Sequence, residues 1–193
     1  MNGIGIDLSL RSTGLCFSTE RKVVFELVQL KKENDEELII ESSTKILEFI
    51  NHIRKKEEVD YINLEGLSFG STSSSKDILA GNFWFLRCIL RTELPSIPLR
   101  VIPVSSWRSP LFNKEERKSM KEADQKMKDL KKLKNKDLKD EIKSLEELSS
   151  IKHQTYLKLP EIALNNLPKG LTGKNGLYDL TDAYFISRFT PKC

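Results

Sequence analysis

Residues 3–14 read GIGIDLSLRSTG, and this stretch decides how the sheet begins. Residues 3–8 are short and apolar and carry an acid near their end, a pattern that predicts a buried strand closed by Asp7. Apolar runs at 15–18 and 23–30 follow at hairpin distances, with the polar turn TERK at 19–22 between them. The chain is therefore expected to open with three consecutive antiparallel strands.

Helix and strand patterns alternate after these strands. Asn34 or Asp35 can cap a helix whose apolar residues recur at helical spacing: Ile39, Ile46, Ile50 and Ile53. The elements expected next are a strand at 59–64 closed by Glu65, a Gly/Ser-rich loop at 66–75, a helix at 77–94 and a strand at 99–104. This order predicts an α/β fold with a mixed five-stranded sheet, in which the last two strands run parallel to the first.

Residues 113–149 differ in composition from the rest of the chain. They hold twelve Lys/Arg and ten Asp/Glu and no Gly, Pro or aromatic residue. Two apolar stripes that are out of phase predict two helices, or one helix broken near Asn135. The stripes are Met120, Ala123, Met127 and Leu130, then Leu138, Ile142, Leu145 and Leu148. Beyond this charged insertion, a helix at 151–164, a loop rich in Gly and Lys at 168–176 and a last helix at 180–189 are expected.

Length and composition limit the class of protein. The 193 residues suit one domain with an insertion, and the net charge of +4 permits a polyanionic partner without requiring one. The three cysteines, Cys16, Cys88 and Cys193, lack metal-ligand spacing and predict reduced thiols. With no basic leader and no apolar run long enough to span a bilayer, an intracellular, cytoplasmic protein is expected.

Four acids close separate elements of the predicted fold. Asp7 and Glu65 end strands that become parallel neighbours, and the ends of such strands are the usual place for a site in an open α/β sheet. Asp179 and Asp182 are three apart and can share one face of the last helix. Clustered carboxylates repel one another unless a hard divalent cation such as Mg²⁺ binds them. Each acid also has a simpler interpretation, as a turn residue, an exposed strand end, a helix cap or a first-turn acid.

The motifs around these acids resemble those of RuvC-type Holliday-junction resolvases, which have the ribonuclease H-like fold. Residues 5–14 resemble the opening strand–turn–strand, an acid in a Gly-Ile-Asp context followed by Arg-x-Thr-Gly. Leu8-Ser9 departs from the Pro-Gly that usually follows the acid in that family. Residues 179–184 resemble the closing Asp-x-x-Asp-Ala signature, and Glu65 stands where the second acid stands. The resemblance covers nearly the whole chain except 113–149.

This resemblance implies an activity, a cofactor and a partner. The implied activity is resolution of four-way DNA junctions by phosphodiester hydrolysis, with the four acids as both catalytic residues and metal ligands. It implies two Mg²⁺ per site, replaceable by Mn²⁺, which activate a water and stabilise the leaving oxygen. Because resolution requires two opposed nicks, a homodimer with two-fold symmetry is expected.

Basic and aromatic residues supply the expected DNA contacts. Arg108 and Lys152 resemble lysines that contact phosphate near the metals in the family, and Phe69 lies where the family carries a junction-inserting aromatic residue. Arg11 in the first motif, with Lys169 and Lys174 in the loop at 168–176, completes the predicted DNA-binding residues. The insertion is expected to be either a solvated hairpin or an arm that contacts a partner subunit or DNA. In the last case it would offer lysines to a junction arm: Lys128, Lys131, Lys132 and Lys134.

Other functions remain open at this stage. The first motif also resembles the phosphate loop of sugar-kinase, actin and chaperone ATPases, but the chain carries neither a second copy of that motif nor a Walker motif. A nuclease of this fold could instead cut flaps, other branched DNA or RNA–DNA hybrids, because a fold does not set its substrate. A non-catalytic branched-DNA-binding protein is the third alternative, although it would gain nothing from carboxylates beside phosphates.

Overall fold

The structure is a computed structural model that describes residues 1–31, 34–67, 76–133 and 136–191. Five strands form one sheet in the order β3-β2-β1-β4-β5. Its strands are β1 Gly3–Asp7, β2 Ser12–Ser18, β3 Val23–Gln29, β4 Tyr61–Glu65 and β5 Leu99–Ile102. β1, β2 and β3 pair antiparallel, whereas β4 lies parallel to β1 and β5 parallel to β4. The predicted α/β fold with a mixed, ribonuclease H-like sheet is confirmed.

Eight α-helices surround and extend this sheet in the described residues. They are α1 Asp35–Arg54, α2 Lys76–Glu93, α3 Val104–Arg108, α4 Lys114–Lys132, α5 Lys139–Ser149, α6 Ile151–Tyr156, α7 Glu161–Leu164 and α8 Leu177–Arg188. Asn34 caps α1 as expected, because its side chain accepts hydrogen bonds from the backbone N–H groups of Glu36 and Glu37. None of the described helices is long and apolar enough to cross a membrane.

Alternation along the strands gives the sheet two different faces. Ile4 and Ile6 of β1 lie opposite Phe17 and Leu15 of β2, and these buried side chains join the main core with α1 and α2. The intervening residues of the same strands face α8 instead. Asp7 belongs to this second face, and it pairs with Gly14 of β2. The alternation therefore directs the first acid towards α8.

Two glycines allow α8 to lie directly on the sheet. A Cβ atom on Gly14 would sit 2.1 Å from the carbonyl oxygen of Asp179, and one on Gly5 would sit 2.1 Å from that of Ala183. Real Cβ atoms essentially never come so close to backbone, so any larger residue would push the helix away. The glycines of the opening motif thus set the depth at which the acids of α8 meet β1.

Replacing Gly5 with Ala should lower the free energy of unfolding by about 3 kcal/mol, the upper end of the range for overpacking a core. The added methyl would also meet the backbone nitrogen of Ser187, at 2.4 Å, so repacking of side chains cannot relieve the clash. Gly81→Ala is the matched control, since the nearest atom to its Cβ is a flexible methyl of Ile39 at 3.7 Å. In mid-helix that change should stabilise by about 0.5–1 kcal/mol. Equal stability of the two variants in urea unfolding would contradict this packing.

Several expected element boundaries are wrong. β2 begins at Ser12 rather than at residue 15, and β4 begins at Tyr61 rather than at residue 59. β5 ends at Ile102 rather than at residue 104, because Pro103 forms the N-cap of α3 and Val104 begins that helix. The helix expected over 151–164 is two helices, since a turn ends α6 and Pro160 caps α7. The last helix begins at Leu177, three residues before the expected start, after Gly176 at a φ of 107°.

The charged insertion forms two helices, as its out-of-phase stripes predict. α4 and α5 pack against each other through half-buried side chains, and Ala123 is the buried residue of α4. A bridge from Lys126 Nζ to Glu141 Oε1 at 2.8 Å ties them together. Asn135, where the break is expected, lies outside the described residues. We call α4, α5 and the chain between them the arm.

Candidate active site

Asp7 is the most buried carboxylate of the sheet and the centre of an acidic cluster. Its residue is 9% exposed at the end of β1. Burial raises its pKa well above the usual value, and the negative charges of Glu65, Asp182 and Asp179 raise the pKa further, as does a hydrogen bond with Glu65. The other three predicted acids are therefore all close enough to Asp7 to repel its charge. Burial in a strand also excludes the interpretation of Asp7 as an exposed turn residue.

Glu65 ends β4 beside β1, and a tryptophan orients it. The Nε1 of Trp107 donates a hydrogen bond to Glu65 Oε1 at 3.1 Å. Trp107 belongs to α3, which follows β5 without a loop because of Pro103, and its ring stacks on Phe185 of α8. One carboxylate oxygen of Glu65 is thereby fixed by the protein.

Asp179 occupies the first turn of α8, where its charge also favours the helix dipole. It is not the N-cap, which is Gly176. One oxygen accepts a hydrogen bond from the Ser12 hydroxyl at 2.6 Å, and the other lies 3.7 Å from the Lys152 ammonium. These contacts connect the last helix to β2 and α6.

Asp182, one turn further along α8, is 2% exposed. Its Oδ2 accepts a hydrogen bond from an Arg108 guanidinium nitrogen at 2.7 Å. Its Oδ1 is buried and has no hydrogen-bond partner among the described residues. Burial raises the pKa of Asp182 to about 6; Arg108 and Lys152 oppose this rise, and Glu65 and Asp179 add to it. An ionised, buried oxygen without a partner is costly unless a cation reaches it.

Two solved structures match this chain along nearly its whole length. T. thermophilus RuvC in complex with a Holliday junction substrate matches with a TM-score of 0.56 at 14% sequence identity, over 97% of this chain and 90% of that chain. A second Thermus thermophilus RuvC structure gives a TM-score of 0.54 at 14% identity, over 97% of this chain and 91% of that chain. The chain has a RuvC-like fold. No protein-family model and no curated protein matches it, so the likeness is one of backbone architecture.

The donor set of this site fits a hard divalent cation. In the part of the chain that the structure describes, no three His, Cys, Asp or Glu side chains are arranged to hold an ion between them. Protein donors instead contact three of the acids: Trp107, Arg108, Ser12 and Lys152. An all-carboxylate donor set is nevertheless the kind that Mg²⁺ prefers, and Asp182 Oδ1 is left without a partner. An ion bound there would compete with Arg108 and Lys152 for the carboxylates.

The predicted DNA-binding residues occupy different positions around this site. Arg108 is partly buried, with its guanidinium 4.4 Å from the Trp107 ring centroid as well as against Asp182. Lys152 is about half exposed beside Asp179. Arg11, Lys169 and Lys174 are exposed. Phe69 lies outside the described residues. A cleft of about 570 Å³ lies next to Arg108, with Arg117 and Ile151 among its other lining residues; none of the four acids lines it.

Sequence reasoning missed three side chains that position the acids. Ser12 and Trp107 hold Asp179 and Glu65, and Asn63 donates hydrogen bonds to the carbonyl oxygens of Ile186 at 2.7 Å and Phe189 at 2.8 Å, at the end of α8. The alternation of side chains along the strands could have predicted two of them, Asn63 and Ser12. Asn63 is two residues before Glu65, and Ser12 is two residues before the glycine paired with Asp7, so both face α8.

The metal-free protein should become more stable as pH falls from 7.5 to 5. The pKa of Asp182 is about 6 in the folded chain, against an ordinary value of about 3.9. Its ionisation therefore costs stability above pH 6, and this cost disappears as pH falls towards 4. The raised pKa of Asp7 acts in the same direction. We expect a gain on the order of 1–3 kcal/mol.

Urea unfolding in EDTA at pH 5, 6 and 7.5 measures this gain. Asp7→Asn removes one of the two buried acids and should show a smaller gain over the same interval. The pKa values of the arm residues Glu116 and Asp129 are lowered by hydrogen bonds to lysines. These two acids therefore change stability mainly below their ordinary pKa values, which lie below this pH interval. A free energy of unfolding that falls on acidification would contradict the repulsion between buried carboxylates. An equal gain in Asp7→Asn and the wild type would contradict it as well.

Proposed function

We propose that this protein is a magnesium-dependent endonuclease that resolves four-way DNA junctions. The observation that carries the proposal is that Glu65, Asp179 and Asp182 all lie close enough to Asp7 to raise its pKa. Such a cluster is unfavourable in a protein without a cation, since Asp7 and Asp182 are buried with raised pKa values. The RuvC-like fold and the motifs around the acids support the same function.

The chain's residues have distinct tasks in this proposal. The four acids would hold two Mg²⁺, or Mn²⁺ in their place. Bound there, the ions supply activation of a water and stabilisation of the leaving oxygen. Trp107 and Ser12 orient their acids through the fixed hydrogen bonds at 3.1 and 2.6 Å. Arg108 and Lys152 form ion pairs with Asp182 and Asp179, and they would pair with the scissile phosphate when ions take their places on the carboxylates.

We also propose a homodimer, because a four-way junction has near two-fold symmetry and needs two opposed nicks. One apolar patch in the described residues suits a second copy. Trp84 is 57% exposed and Phe85 39% exposed on α2, on the sheet face opposite α8. An interface there would leave the acids of both copies open to DNA. Sedimentation of the wild type and of Trp84→Lys tests this: the wild type should form a dimer that the substitution weakens, and a monomeric wild type on junction DNA would contradict it.

A comparison of substrates tests the function itself. Purified protein is given equal amounts of a four-way junction, a flap, a Y-fork, an RNA–DNA hybrid and a linear duplex, in Mg²⁺ and moderate salt. The junction should be cut at least ten times faster than the duplex, because non-specific contacts weaken with salt while a matching branched shape keeps its contacts. Faster cutting of the flap or the hybrid than of the junction would identify that molecule, and not the junction, as the preferred substrate. Junction binding without cutting of any substrate would favour the non-catalytic alternative.

A further inference from the structure

We propose that Lys139, Lys143 and Lys174 form a second phosphate-binding site, which holds the backbone of a DNA arm away from the acids. This inference rests on the proposed function, since it names how that substrate is held. The site is a cleft of about 860 Å³ between α5 and the loop that precedes α8. Four lysines line the cleft against two acids, which leaves a formal charge of +2: Lys131, Lys139, Lys143 and Lys174, with Asp140 and Glu146.

Ion pairing distinguishes these lysines from most others of the arm. The sequence favoured Lys128, Lys131 and Lys132 as DNA contacts, but each of them has a carboxylate partner at 2.5–2.8 Å. The fourth of that group, Lys134, lies outside the described residues. Lys126 is paired as well.

The ammonium groups of the proposed site have no such partners. Within the described ranges, no carboxylate forms an ion pair with Lys139, Lys143 or Lys174. All three residues are exposed. A lysine without a partner can neutralise a phosphate and so release a cation condensed on the DNA, whereas a paired lysine must first lose its carboxylate. The near-cancelling charges of the arm are thus unevenly distributed, and free cations remain where α5 faces the loop.

The cleft is joined to the acids by two short connections. Lys174 is five residues before Asp179, and its loop is held against β3 by a hydrogen bond from Gln29 Nε2 to the Asn175 carbonyl oxygen at 3.4 Å. On the other side, Ser150 ends α5 and caps α6, whose Lys152 approaches Asp179 at 3.7 Å. A duplex cut at the acids and lying along α6 would therefore reach the cleft.

The chemistry favours the phosphate backbone as the ligand. Lysine binds phosphate as a flexible point charge, without the planar fork that reads a base or a carboxylate. Contacts of this kind position DNA and carry no sequence information. We expect the cleft to add affinity for the junction equally across sequences.

The test compares two triple variants of the full chain that change net charge equally. The cleft variant is Lys139→Gln, Lys143→Gln, Lys174→Gln; the control is Lys126→Gln, Lys128→Gln, Lys132→Gln, which removes paired lysines of α4. Junction affinity is measured by fluorescence anisotropy in EDTA over a range of KCl concentrations. The slope of log affinity against log salt should fall by about 2–3 in the cleft variant, near 0.9 for each phosphate contact, and by less than about 1 in the control.

Thermal unfolding establishes that both variants fold, and Lys174→Gln alone should lower the slope by about 1. Equal losses in the two triple variants would mean that net charge alone matters and would overturn the inference. An unchanged slope in a folded cleft variant would overturn it as well, while wild-type cutting of the junction would leave the proposed function intact. A wild type that binds no DNA would overturn both.

Discussion

Replacing Asp7 with Asn should lower the rate of junction cleavage by roughly 10³-fold or more. Metal ions supply several kcal/mol of charge stabilisation in phosphodiester hydrolysis, and each 1.4 kcal/mol or so is a factor of ten. Asp7 lies at the centre of the cluster, where the charges of the other three acids all reach it. The amide keeps the shape of the carboxylate, so folding and junction binding should persist. Single-turnover cleavage in Mg²⁺, with junction affinity in EDTA, measures both.

The same substitution should make the metal-free protein more stable at pH 7.5. It removes a buried charge that burial and three neighbouring acids disfavour, so loss of activity would accompany a gain in the free energy of unfolding. Asp35→Asn is the matched control, an exposed acid in the first turn of α1 that should leave activity unchanged. Cleavage by Asp7→Asn at the wild-type rate would show that Asp7 is not a catalytic residue.

Replacing Arg108 with Met should destabilise the metal-free protein by about 3 kcal/mol, because it leaves Asp182 buried without its ion-pair partner. The side chains are 18% and 3% exposed, so water can relieve little of that cost. The double variant Arg108→Met, Asp182→Asn should recover most of the loss, since no uncompensated charge remains. Urea unfolding of both single variants and the double variant at pH 7.5 in EDTA gives the coupling.

Magnesium should distinguish this pair from an ordinary ion pair. If an ion replaces Arg108 beside Asp182, added Mg²⁺ should restore part of the stability of Arg108→Met, by preferential binding to the folded chain. It should restore none in the double variant. A double variant whose loss of stability equals the sum of the two single losses would contradict the proposed coupling. Mg²⁺ that does not stabilise Arg108→Met would contradict the proposed competition between Arg108 and the metal.

Local patterns were sufficient to predict the sheet and to bring the four acids towards one another. The short apolar run at residues 3–8, with an acid near its end, predicted β1. The order of elements predicted which strand becomes its parallel neighbour, so Asp7 and Glu65 could be paired from the sequence. The spacing of Asp179 and Asp182 required only helical geometry. The pattern could not predict how closely α8 packs against the sheet. This close packing depends on Gly5 and Gly14 meeting helix backbone, a contact between residues more than 160 positions apart.

The contacts of the arm and the basic residues were less predictable for a physical reason. Exposed ion pairs such as Lys131 with Glu146 depend on how α5 is oriented against α4, and no periodic signal in the sequence encodes that orientation. Counting charges therefore favoured lysines that turn out to be paired. The sequence also did not predict the ion pair between Arg108 and Asp182, because the family resemblance indicated that Arg108 contacts phosphate.

The most direct test of the central claim is to map cuts in a four-way junction labelled in turn on each of its four strands. The purified chain is incubated with it in Mg²⁺, in Mn²⁺ and in EDTA. We expect nicks on two opposed strands near the branch point with either metal and none in EDTA. Intact strands with both metals, at protein concentrations that saturate the junction, would contradict the assignment of these four acids as a nuclease site.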